Sequence, residues 1–134
     1  MAVLRHEKLL LQSSRDILLV RNLVRTTSAE MGFSLVDQTK MVTAASELAR
    51  NTVDYARGGI VSMQVLNENN RRGIRLTFEY EGPGIPDVEL AMKDGYTTGS
   101  GLGLGLGGAR RLVNEFQISS EVGKGTRVSI TRWK

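Results

Sequence analysis

The sequence predicts an α+β fold: a two-layer α/β sandwich in which a mixed, mostly antiparallel sheet has its helices on one face. Three observations predict it. Segments of apolar–polar alternation, clearest from Ile74 to Tyr80, sit beside turn-forming residues and read as hairpin-paired strands. Two long stretches, from Ser14 to about Met31 and from Asp37 through Ala56, repeat their apolar residues at helical spacing. A run holding six of the chain's 15 glycines, between Gly99 and Gly108, leads straight into a further helix-like segment.

Taken in order, Leu4 to Leu11 is expected to be a strand with an apolar end at Leu9, Leu10 and Leu11. Ser13 and Ser14 are candidate caps, because a serine oxygen can accept an orphan N–H of a helix's first turn. The helix behind them aligns Ile17, Val20, Leu23 and Val24, and Gly32 stops it. Asp37 is the expected cap of the second helix, whose stripe is Met41, Ala44, Ala45 and Leu48; Gly58 and Gly59 end it. Ile60 to Leu66 reads as a strand and residues 67–73 as a polar hairpin turn. The strand after it puts Ile74, Leu76, Phe78 and Tyr80 on one face, and Arg75, Thr77 and Glu79 on the other. Gly82, Pro83 and Gly84 break that strand, and Asp87 to Met92 is expected as a short helix. Beyond the glycine run, a helix is expected over residues 109–116. Two strands follow, Gln117 to Val122 and Arg127 to Trp133, joined by a tight turn at Gly123, Lys124 and Gly125. With no repeat and no dividing linker, residues 1–134 read as one domain, long enough to bury a core.

Composition narrows the chemistry. Hydrophobic content of 40% and charged content of 24% are ordinary for a globular protein. No apolar run approaches the ~20 residues of a membrane span, and the first residues lack a signal peptide's apolar segment. The absence of cysteine excludes disulfides and thiol chemistry and fits a cytoplasmic protein. A single histidine, His6, argues against Cys/His zinc sites and a histidine-centred triad. The net charge of +4 is spread along the chain rather than gathered on one element, and aromatic content is 5%, so neither a basic groove nor a stacking platform for nucleic acid is apparent.

The glycine run is where chemistry is expected. Glycines let backbone N–H groups converge on an anion, and a helix N-terminus just after them adds free donors and a positive dipole end. Leu102, Leu104 and Leu106 alternate with the glycines, where a solvated linker would have polar residues. The reading is a phosphate-cradling loop over a nucleotide. On the second predicted helix, Glu47 and Asn51 are four apart and share a face, with Asp54 near it. Their oxygens suit Mg²⁺, which accompanies nucleotide phosphates, and a carboxylate there can take a proton from an attacking hydroxyl.

Four runs, in this order, resemble the gyrase/histidine-kinase/MutL ATPase superfamily with its Bergerat nucleotide pocket: Ser46 to Ala56, Glu81 to Asp87, Asp94 to Gly108 and Gly123 to Thr126. Within it the chain is similar, over nearly its whole length, to the RsbT-type serine/threonine kinases of bacterial partner switching, the anti-sigma and stressosome switch kinases. The resemblance implies a Bergerat/histidine-kinase-like fold with ATP and Mg²⁺ as cofactors. Asn51 would hold the metal, and Glu47 would be the general base or orient the nucleophile. Asp54 and Tyr80 would belong to the nucleotide site. Gly82 and Gly84 would shape its adenine side, with Ile85 against the base and Thr126 near it. Thr98, Gly99, Ser100, Gly101, Leu102, Gly103, Leu104, Gly105, Leu106 and Gly107 would close over the phosphates. The implied reaction moves the γ-phosphoryl of ATP to a Ser or Thr of a STAS-domain antagonist or scaffold protein. Released from that partner, such a kinase can bind a PP2C-type phosphatase. The family's Asp-x-Gly-x-Gly pattern has its first Asp where this chain has Tyr80. A phenol is bulkier and neutral, which sets a second reading beside the first: a nucleotide-impaired partner-switching module that binds a STAS protein or a phosphatase without phosphorylating.

Overall fold

A computed structural model describes residues 1–55, 58–81, 105–121 and 123–134. Strand β1 (Ala2–Leu11) leads into helices α1 (Ser14–Glu30) and α2 (Leu35–Tyr55). Strands β2 (Gly59–Glu68) and β3 (Arg71–Tyr80) follow, then helix α3 (Gly105–Arg111) and strands β4 (Glu115–Glu121) and β5 (Gly125–Trp133). The sheet order is β1-β2-β3-β5-β4. All four strand pairings are antiparallel, so among the described residues the sheet is antiparallel rather than mixed.

The alternation seen in the sequence decides which face is covered. Ile74, Leu76 and Phe78 of β3 are at most 2% exposed, as are Val61 and Met63 of β2 and Val128 and Ile130 of β5. Above them lie Met41, Ala44, Ala45 and Leu48, the predicted stripe of α2, and Val20 and Val24 of α1. The opposite face of the sheet is mainly polar, apart from the exposed Leu10 and Ile60. There Arg75 Nε donates to Thr131 Oγ1 at 2.9 Å, the hydroxyls of Thr77 and Ser129 meet at 3.3 Å, and Glu79 pairs with Arg127 at 3.7 Å. At its far end Arg71 stacks 5.2 Å from the centroid of the Trp133 ring, whose Nε1 donates to Glu115.

Several boundaries differ from expectation, each for a physical reason. The first strand begins at Ala2 rather than Leu4, because pairing with β2 extends to Asn67. Ser13 is the cap of α1, and the Asp16 carboxylate accepts the N–H groups of Gln12 and Ser13 at 2.8 and 3.2 Å. Asp37 does not cap α2: the Ser34 hydroxyl accepts the Asp37 N–H at 3.1 Å, which leaves the Asp37 carboxylate free for a distant partner. The helix ends at Tyr55, and Ala56 lies outside the described residues. The hairpin turn is not seven residues but two, Asn69 and Asn70, at φ of +52° and +65°. Asn tolerates the left-handed region, and two such residues match the twist of the flanking strands.

The helix expected over residues 109–116 is displaced. It runs from Gly105 to Arg111, and Glu115 and Phe116 already belong to β4. The Asn114 N–H donates to Thr131 O at 2.9 Å and its side-chain oxygen accepts the Trp133 N–H at 2.7 Å, so pairing with β5 captures the chain there. From Phe116 the burial alternates, with Phe116, Ile118 and Ser120 turned inward. The expected helix at Asp87 to Met92 lies outside the described residues, as does Val122.

Candidate functional site

The register of the sheet fixes one end of the site. Gly59, Tyr80, Thr126 and Ser120 lie side by side across β2, β3, β5 and β4 and form a single rung. Gly59 shows which face this rung presents: a Cβ there would stand 2.6 Å from Thr52 Cγ2 of α2 and 2.9 Å from Tyr80 Cβ. The rung therefore faces the helices, with the last turns of α2 directly above it. Tyr80 is half-buried, and the buried Thr126 shares a hydroxyl contact of 2.8 Å with Ser120. Glu79 belongs to the next rung, with Ile60, Arg127 and Ser119, on the polar face. The alternation that turns Tyr80 toward α2 turns Glu79 away, so Glu79 is no substitute for the family's Asp.

Helix α2 supplies the second part. Leu48 and Thr52 point at the sheet and are at most 2% exposed. On the neighbouring stripe Glu47 is 7% exposed, Asn51 is half-buried and Asp54 is exposed. Glu47 Oε1 lies 3.2 Å from Arg50 Nη1, a partner the sequence reading did not single out. The signal for it was the i,i+3 spacing. What the spacing alone does not give is that Glu47, and not Asp54, is the buried carboxylate.

The third part is the exit of the glycine run. Gly105, Leu106 and Gly107 are helical, in α3, rather than part of an open loop. Leu106 is 5% exposed and Ala109 fully buried; both belong to the core, and α3 packs against α2. Burial of these two side chains offsets much of the roughly 1 kcal/mol that each of the three helical glycines, Gly105, Gly107 and Gly108, costs. The remaining expected contacts, Gly82, Gly84, Ile85, Thr98, Gly99, Ser100, Gly101, Leu102, Gly103 and Leu104, lie outside the described residues.

A cleft of about 650 Å³ opens at this end of the sheet, with Tyr80 and Thr126 among its lining residues. Much of its wall is the polar-face rung of Ile60, Glu79, Arg127 and Ser119, and Glu47, Asn51 and Asp54 do not line it. Among the described residues, no three His, Cys, Asp or Glu side chains gather as a metal cage. Magnesium is commonly held by one or two protein carboxylates together with substrate phosphates. The all-oxygen donor set on the α2 stripe suits such an ion. No helix among the described residues is long and apolar enough to cross a membrane.

A helix that covers one rung of an antiparallel sheet and carries oxygen ligands on its neighbouring stripe, with the helix at the end of the glycine-rich run packed against it, is the arrangement of a nucleotide-binding domain of the Bergerat kind. The chain belongs to the histidine kinase-, DNA gyrase B- and HSP90-like ATPase family, whose model matches residues 36–134. It is similar to the serine/threonine-protein kinase RsbT of Bacillus subtilis (strain 168), with 42% identity over 118 residues, 88% of this chain and 89% of that one. It is also similar to an anti-sigma F factor of Geobacillus kaustophilus (strain HTA426), with 32% identity over 78% of this chain and 75% of that one. Among solved structures, the RsbU and RsbW domains of a Mycobacterium tuberculosis protein share the fold. The TM-score is 0.66 at 21% identity, and the match covers 97% of this chain and 33% of that one.

Proposed function

We propose that residues 1–134 form one kinase domain that uses ATP and Mg²⁺ to phosphorylate a Ser or Thr of a STAS-domain antagonist or scaffold protein in bacterial partner switching. The observation that supports the reading is the position of α2: its Thr52 covers Gly59 on the Tyr80–Thr126 rung, Glu47 and Asn51 lie on the neighbouring stripe of the same helix, and the helix packs against α3, which ends the glycine run. Similarity to RsbT over most of both chains supports the reaction class. Asn51 would hold the divalent ion, which when bound neutralises phosphate charge. Asp54, about one turn further along α2, would contribute to the same nucleotide site. Glu47 accepts the proton of the acceptor hydroxyl. Backbone N–H groups from Thr98 to Gly107 would bind the phosphates, and Gly82, Gly84, Ile85 and Thr126 would belong to the adenine side of the site. Positioning and charge neutralisation then account for most of the acceleration.

Incubation with labelled Mg-ATP and the STAS-domain proteins of the same genome tests this directly. Label is expected on a Ser or Thr of one of them, and Asn51→Ala is expected to abolish the metal-dependent transfer. Undiminished transfer by that variant would remove the metal role from Asn51. Tyr80 favours a second reading, in which nucleotide binding is impaired and the chain acts by binding a STAS protein or a PP2C-type phosphatase. Stable complexes without any transfer of label would decide for it.

A further inference from the structure

The ion pair on α2 has a geometry that a surface pair lacks. Arg50 is 41% exposed, but the Glu47 side chain it meets at 3.2 Å is only 9% exposed. Exposed pairs of this kind contribute little, whereas a buried carboxylate without a countercharge is strongly disfavoured. Among the described residues, Arg50 is the one side chain bonded to Glu47. Arg50 also has a choice. Asp54 is four residues further along the helix and exposed, yet the guanidinium turns back to the buried acid. An acid N-terminal to its base is the favoured order on a helix. The contact is a single N–O approach from one guanidinium nitrogen, not a two-pronged fork. A carboxylate accepts through two oxygens, so one anchored oxygen leaves the other for a substrate.

We propose that Arg50 is a positioning residue for phosphoryl transfer: it holds the Glu47 carboxylate by one oxygen and compensates its charge, so that the other oxygen faces the acceptor hydroxyl. The inference rests on the kinase reading above. In the step concerned, Glu47 takes the proton of the acceptor hydroxyl as the acceptor oxygen bonds the γ-phosphorus of ATP. The bond from that phosphorus to the β–γ bridging oxygen breaks, and ADP leaves. Arg50 touches none of the reacting atoms and acts only through Glu47.

The test compares wild type, Arg50→Ala and Arg50→Lys in transfer from labelled Mg-ATP to the STAS-domain acceptor, with Mg-ATP affinity measured by calorimetry. Arg50→Ala is expected to lose about tenfold to hundredfold in kcat, with acceptor KM and nucleotide affinity within about twofold of wild type. Arg50→Lys is expected to restore most of the rate, because a single-point contact needs the charge and not the fork. If Arg50→Ala does not fold, Arg50→Gln, neutral and of similar length, carries the same comparison. Wild-type kcat in the neutral variant overturns the proposal and leaves the kinase reading intact. So does a loss that falls equally on KM and nucleotide affinity, or one that Lys does not restore. Absence of transfer by the wild type overturns both.

Discussion

Tyr80 is the residue on which nucleotide affinity turns. It stands on the helix-facing rung next to Thr126, at the position where the family pattern has an Asp to accept the adenine amino proton. A neutral phenol in place of a charged acceptor forfeits roughly 1.5–3 kcal/mol, about tenfold to hundredfold in affinity. Tyr80→Asp is therefore expected to strengthen Mg-ATP binding by that factor in a calorimetric titration. Equal, tight binding by both forms would contradict the assignment of this rung to the adenine. The orientation of Tyr80 was legible in advance, because strict alternation from Ile74 allows Tyr80 or Glu79 to face the helices, not both. The Glu47–Asn51 stripe was legible for the same kind of reason, from a spacing of four. The burial of Glu47 was not, since it depends on what packs against α2 and not on the helix itself.

At the scale of elements, the caps and close approaches carry the testable content. Ser34, not Asp37, accepts the first-turn N–H of α2. Ser34→Ala is expected to cost about 0.5–2 kcal/mol in urea denaturation, as loss of a helix cap does. Gly59→Ala puts a methyl 2.5 Å from Glu79 O and 2.6 Å from Thr52 Cγ2, where β2 passes under α2. A backbone carbonyl cannot step aside, so a loss of about 1–3 kcal/mol is expected by the same measurement. A stability equal to wild type would mean that helix and sheet are further apart than described. Elements with a clear period, such as α1, α2 and β3, were found where the sequence placed them. The failures cluster where a long-range partner overrides local spacing. The β5 backbone draws residues 114–116 out of the expected helix, and the core draws Leu106 into α3. Neither partner is a neighbour in sequence, so neither was visible there.

For the molecule as a whole, the fold class followed from which strand faces were apolar, because a sheet with one polar face accepts helices on the other only. What periodicity could not supply are the ties between the layers. Arg132 of β5 is the main one: its Nη2 meets Asp37 Oδ1 at 2.5 Å, and its Nη1 donates to Leu112 O at 2.8 Å. One side chain thus joins the start of α2, the link after α3 and the last strand. The Arg132 guanidinium, through its hydrogen bond first and its charge as well, holds the Asp37 carboxyl below its ordinary value, against a smaller opposing effect of burial. A carboxyl whose folded value is depressed stabilises the fold above its unfolded value. That contribution fades as pH falls through the lower, folded one. Asp37→Asn removes the contribution at every pH. The stability gap between wild type and Asp37→Asn is therefore expected to be constant from neutrality to about pH 5, and to close below about pH 4. Urea unfolding followed by the fluorescence of Trp133, the single tryptophan and 8% exposed, reads the gap from the residue next to Arg132. A gap that stays constant into the acid range would show that the tie acts without the charge on Asp37, and a gap that widens there would reverse the sign of the linkage.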